Sequence, residues 1–194
     1  MYPTLDFISG IMTLALLSVS ILLLAFWVLF GAHHPLRAWL RAHTTLLILF
    51  ILFGGVGGSL VYSDIVGFVP CRLCWMQRMF LFPLLPLFAF AFARIKLIKQ
   101  AREMKEDRML YPYGILLSSI GLFLATYHII LEKGVLDASV SVCFGDAVSC
   151  TTQYVHVFGF ITIPVMSASI FTLVIILLAH GMSAPKESDA HSRS

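Results

Sequence analysis

Charge is what this chain has least of. Only 12% of its 194 residues are Asp, Glu, Lys or Arg, while 59% are hydrophobic. A soluble domain carries about a quarter charged residues. No water-soluble fold of this length hides so much apolar surface, so lipid must be the solvent for most of the chain. The net charge of +3 is small and comes from clustered bases rather than a basic face, so nothing here points to nucleic acid and no such partner is expected. Residues 1–6 contain no Lys or Arg, and the apolar run that follows is too long for a signal peptide. The first segment is therefore expected to remain as a helix. Cysteine is scarce too: Cys71, Cys74, Cys143 and Cys150 form two pairs outside the long apolar runs. That placement points to chemistry at a membrane surface rather than to packing.

Five apolar stretches, 7–30, 45–63, 75–93, 110–131 and 158–180, are long enough to cross a bilayer as helices, which takes roughly 17–25 residues. The expected fold is an all-α membrane protein with five crossings. Bases mark the sides. Arg37 and Arg41 follow the first stretch, Arg94, Lys96, Lys99, Arg102, Lys105 and Arg108 the third, and Lys186 and Arg193 lie in the tail. The other connections hold only Arg72, Arg78 and Lys133. Lys and Arg accumulate on the cytoplasmic side, so the N-terminus is expected outside and the C-terminus inside. Outer loops 64–74 and 132–157 then carry one cysteine pair each. In a bacterium that outer compartment is oxidising, and disulfides persist there.

Smaller features follow. Residues 31–44 are expected to form an interfacial turn around Pro35 to Arg41. Gly54 and Gly58 have the GxxxG spacing, and helix packing is the reading taken for them rather than ligand contact. Pro83, Pro86 and Pro164 are expected to kink their helices. The tail from Gly181 is polar and expected to be disordered. No internal repeat is present beyond the recurrence of helix pairs.

Cys71 and Cys74 are separated by a two-residue spacer, just after Pro70 and at the expected start of a helix. This spacing allows a small, easily reversed disulfide. The helix N-terminus favours the thiolate, which is the reactive species. A covalently attached haem would need His directly after Cys74, where Trp75 stands, and zinc would need two further ligands that only the second pair could give. Redox chemistry is the preferred reading, with no metal. Arg78 follows Cys74 by four residues and shares its helical face. It is either a snorkelling anchor or a fixed charge that stabilises a Cys74 thiolate or a reducible ligand. Cys143 and Cys150 are either a staple for their loop or a second exchangeable pair. His128, near the outer end of the fourth helix, sits at an interfacial depth, or else handles a proton for a redox ligand. His33, His34 and His43 are read as solvated residues on the inner side, and Asp64 has no assignable role.

The run from Pro70 to Arg78, with Cys-Trp-x-Gln-Arg inside it, resembles the signature of the disulfide bond formation protein B (DsbB) family, most closely its BdbC branch. A second match runs from Ser149 to Tyr154 and on to Phe158–Pro164, and a weaker third is Tyr127-His128. The resemblance covers roughly residues 45–180. It implies a DsbB-like four-helix transmembrane bundle in the bacterial cytoplasmic (inner) membrane with its active site on the outer, periplasmic face. Residues 1–44 would be an additional N-terminal helix and connector, and 181–194 a cytoplasmic tail. It further implies a thiol:quinone oxidoreductase that reoxidises a DsbA-like thioredoxin-fold dithiol oxidase and passes electrons to a membrane quinone, ubiquinone or menaquinone. Cys71 and Cys74 would be the quinone-linked pair, with Cys74 facing the quinone, and Arg78 and His128 would bind it. Cys143 and Cys150 would meet the partner, Cys143 forming the mixed disulfide. Three departures stand out: the extra helix, the short interval between Cys143 and Cys150, and Glu132 where related chains tend to have Gln. A vitamin K epoxide reductase-like enzyme would place its loop cysteines before the CxxC. A non-enzymatic transporter or scaffold subunit with two structural disulfides is the alternative from another class.

Overall fold

A computed structural model describes residues 3–29, 35–97, 110–136, 143 and 148–182. Among these described residues, five helices are long and apolar enough to cross a membrane: α1 (Pro3–Leu29), α2 (Pro35–Leu60), α3 (Arg72–Leu97), α4 (Leu110–Glu132) and α5 (Ile163–Met182). One turn of π-helix, Val61–Ile65, continues α2. Among the described residues there is no strand, only an isolated bridge between Val157 and Ile161. The connection at 98–109, most of the 137–147 loop, His33, His34 and the tail from 183 lie outside the described residues.

Helices α2 to α5 form a closed ring: α2 packs on α3, α3 on α4, α4 on α5, and α5 back on α2. α1 rests on the outside of α5. Phe88, Phe171, Leu52 and Leu84 fill the centre, while Phe50, Phe53 and Phe123 point outward. Lipid is as apolar as these side chains, so close van der Waals fit rather than the hydrophobic effect must hold the ring. Small residues supply that fit. A Cβ on Gly121 would collide with the Phe171 ring, and one on Gly114 would come within 2.9 Å of both Phe88 and Leu178.

Several expectations require correction. The glycine that packs α2 on α5 is Gly55, whose added Cβ would meet Ile170 at 2.8 Å. At Gly54 and Gly58 an added Cβ meets nothing within 4 Å, so the GxxxG pair faces open space. Residues 35–41 are not a separate interfacial turn but the first turns of α2, with Pro35 at its first position, where a missing N–H costs nothing. The fifth helix starts at Ile163, not at 158. Phe158 and Gly159 both take positive φ (52° and 79°), a turn that a helix cannot contain. Pro164 consequently lies in the first turn of α5 and introduces no kink, whereas Pro83 and Pro86 do lie inside α3.

Candidate redox site

Cys71 is the residue immediately before α3, the N-cap position. Its sulfur accepts the backbone N–H of Cys74 at 3.3 Å, as a capping side chain would. The Sγ atoms of Cys71 and Cys74 are 2.8 Å apart, and both residues are free of any disulfide. Cys71 is buried and Cys74 half-buried. Hydrogen bonding from the Cys74 side chain, opposed by burial and reinforced by His128, lowers the Cys71 thiol from its ordinary 9.0 to about 5. The helix terminus thus favours the charged sulfur in two ways, through its dipole and through one of its unpaired N–H groups.

His128 comes from α4, one turn before its end, and is 2% exposed. The Gln77 side-chain amide donates to its Nδ1 at 3.0 Å. The proton therefore sits on Nε2, which lies 2.9 Å from the Cys150 carbonyl oxygen and 3.8 Å from the Cys71 sulfur. One imidazole thus touches both cysteine segments.

Cys143 and Cys150 form a disulfide with Cα atoms 5.9 Å apart, and both are buried. They pack in one cluster with Cys71, Leu73 and Leu131. The Cys71 sulfur, the Cys150 sulfur and a His128 ring nitrogen lie within 4.8 Å of one another. Such a trio could hold a metal, but with Cys150 bonded to Cys143 it lacks the second thiolate a soft metal wants. An aromatic stack ties the two loops together over this cluster: Phe68 lies 5.9 Å from Tyr62 and 4.7 Å from Tyr154, centroid to centroid, nearly parallel to both.

Arg78 does not reach for the surface. Its guanidinium donates to the Ser59 carbonyl of α2 at 3.0 Å and lies 5.3 Å from the Trp75 ring centroid. Glu132, one turn past His128, accepts the Thr162 hydroxyl at 2.7 Å. Asp64 is exposed and bonded to Ser63. His43 lies on the first half of α2, far along the helix from the thiols, its ring hydrogen-bonded to the Trp39 carbonyl oxygen.

An apolar cavity of about 450 Å³ opens beside these groups, with Cys71, Cys74, Arg78 and His128 on its wall. Gln77, Ser59 and Tyr62 also belong to the site and were not singled out from sequence. The available signal for Gln77 was an amide buried in an otherwise apolar helix. Ser59 participates through its carbonyl, which no residue type announces.

The family profile of disulfide bond formation protein DsbB matches residues 41–181. A probable disulfide formation protein of Oceanobacillus iheyensis is 32% identical over 71% of this chain and 88% of its own length. The SPbeta prophage-derived disulfide bond formation protein B of Bacillus subtilis is 39% identical over 66% of this chain and 78% of its own. Disulfide bond formation protein C of the same organism is 32% identical over 62% and 79%. No solved structure matches the chain. A profile over most of the length, joined to a buried double cysteine pair at one end of a helical bundle, means that the chain belongs to the DsbB family, in its BdbC-like branch, as a multi-pass membrane protein of disulfide formation.

Proposed function

We propose that this protein is a thiol:quinone oxidoreductase that reoxidises a DsbA-like thioredoxin-fold protein on the outer face of the bacterial cytoplasmic membrane. Residues 45–180 form the catalytic unit, 1–44 an added helix and connector, and 181–194 a cytoplasmic tail. The observation that carries the reading is the approach of the Cys71 and Cys150 sulfurs to within 4.8 Å. Two structural staples have no reason to share one buried cluster; two exchanging pairs must.

Disulfide exchange proceeds in four steps. A partner thiolate attacks the Cys143 sulfur, forming a mixed disulfide and releasing Cys150 as a thiolate. The partner's second thiol, deprotonated, closes its own disulfide and frees Cys143. The Cys150 thiolate attacks Cys71 in a Cys71–Cys74 disulfide, expelling Cys74 as a thiolate. Cys143 then resolves the Cys150–Cys71 bond, restoring the loop disulfide and leaving two electrons on Cys71 and Cys74. His128 holds the Cys150 carbonyl and Cys71 in register throughout. Arg78, one helical turn from Cys74, stabilises the expelled thiolate. The apolar cavity has the size of an ordinary small-molecule site, and Gln77, Arg78 and His128 bring polar groups to its wall beside Cys71 and Cys74, which fits an amphiphilic ring. A bound membrane quinone, ubiquinone or menaquinone, supplies a two-electron, two-proton sink there. Arg78 and His128 would hold it.

The test mixes purified protein, a reduced thioredoxin-fold partner and a quinone analogue, and follows quinone absorbance. Cys71→Ala and Cys74→Ala should each abolish turnover, Cys143→Ala should remove the trapped mixed disulfide, and Arg78→Ala should raise the quinone KM. Full turnover in either CxxC mutant would end the relay.

A further inference from the structure

The family match begins at residue 41, so α1 precedes it. Yet α1 forms one wall of the cavity. Leu5, Ile8, Ser9, Met12, Thr13 and Leu16 line it, a single stripe at helical spacing. α1 reaches this position by leaning on α5 and on the chain just before it: a Cβ at Gly10 would come within 2.9 Å of Val157 and 3.1 Å of Phe158. Across the cavity α2 contributes Gly54 and Gly58, the positions with open space above them. At the cysteine end a hydrogen-bonded clasp joins the two helices. The Tyr62 hydroxyl donates to the Asp6 carboxylate at 3.0 Å and lies 2.8 Å from the Ser9 hydroxyl. The slot between the helices is continuous with the space at Cys74 and Arg78.

We propose that α1 is the specificity-determining wall of the acceptor cavity, holding the apolar chain of the quinone against Met12 and the Gly54–Gly58 strip. The inference rests on the quinone reading above. Without α1 this flank of the four-helix ring would open to lipid, and acyl chains would compete for it. With α1 clasped in place the slot accepts a chain that belongs to a ligand whose head is at the sulfur pair. A phospholipid acyl chain shares the apolar chemistry, so the test must separate the two.

Equilibrium binding of two radiolabelled quinones to the oxidised full-length protein in detergent does so, one ring bearing a decyl chain and one without it. Wild type should prefer the chain-bearing quinone by about tenfold or more. Met12→Trp and Gly58→Leu should erase most of that preference while the affinity for the bare ring stays the same. Thermal unfolding reports whether each variant folds, and Gly58→Leu adds its side chain where no neighbour stands. A preference that survives in a folded variant, or equal loss for both ligands, overturns the role of α1 alone. A tightly retained phospholipid with no chain preference in wild type assigns the slot to lipid and overturns it too. Binding of neither quinone removes the acceptor reading itself, and the role of the slot with it.

Discussion

At Cys71 three donors converge on one sulfur: the Cys74 thiol, the Cys74 backbone N–H and His128. A thiol lowered to about 5 is a thiolate at neutral pH. Its folded value lies below its unfolded one, so its contribution to the stability of the reduced protein is fully present above about pH 9 and is lost as pH falls toward 5. The Tm of the reduced wild type relative to Cys71→Ala should therefore rise between pH 5 and pH 9. Parallel pH profiles for the two proteins would show that the sulfur is an ordinary thiol. The candidate residues that the structure brings together here were legible for a plain reason. Two close cysteines, an arginine and a histidine are conspicuous against an apolar background, because each is costly there unless used. Gln77 was less so, since its role appears only once His128 from another helix is placed beside it. Contact between Cys71 and Cys150 was not legible, because it depends on how two loops fold over one helix end.

At the scale of helices, the glycines divide into two kinds that sequence does not distinguish. Gly121 admits the Phe171 ring between α4 and α5, and nothing larger fits there. Gly57 has no neighbour within 4 Å of an added Cβ. Gly121→Ala should cost about 1–3 kcal/mol through overpacking. Gly57→Ala should be neutral or stabilise by up to about 1 kcal/mol. Thermal unfolding in detergent compares them directly, and equal Tm values would refute the assignment of Gly121 as the α4–α5 contact. Helix existence was readable from apolar length, and α4 was placed to within a residue. The ends were less so. Hydropathy ends a segment where polar residues start, but α2 runs back through Arg37 and Arg41 because a helix continues past the apolar layer. Conversely, residues 158–162 are mostly apolar and yet form a turn, because backbone twist at Phe158 and Gly159 is invisible to hydropathy.

For the whole molecule, the ends of α1 and α2 that meet at Asp6 and Tyr62, the start of α3, the end of α4 and the start of α5 all lie on one side of the bundle. That is the side with few bases in sequence. A fluorescent protein fused at the C-terminus should glow inside the cell. A thiol reagent that cannot cross the membrane should label Cys143 in a protein reduced from outside. Labelling only after permeabilisation would invert the orientation. The grouping of these ends also explains why charge and cysteine placement agreed from separate residues: both record a single boundary between lipid and water.

The two sulfurs of the loop disulfide are not equivalent. Cys150 has its carbonyl fixed by His128 and its side chain beside Cys71, whereas Cys143 lies seven residues earlier in the chain. In the proposed exchange, a visiting protein that breaks this bond at Cys143 would release a Cys150 sulfur that already lies beside its successor, Cys71. Its local concentration there would far exceed that of any thiol in solution, so reducing power would move inward instead of slipping back to the visitor.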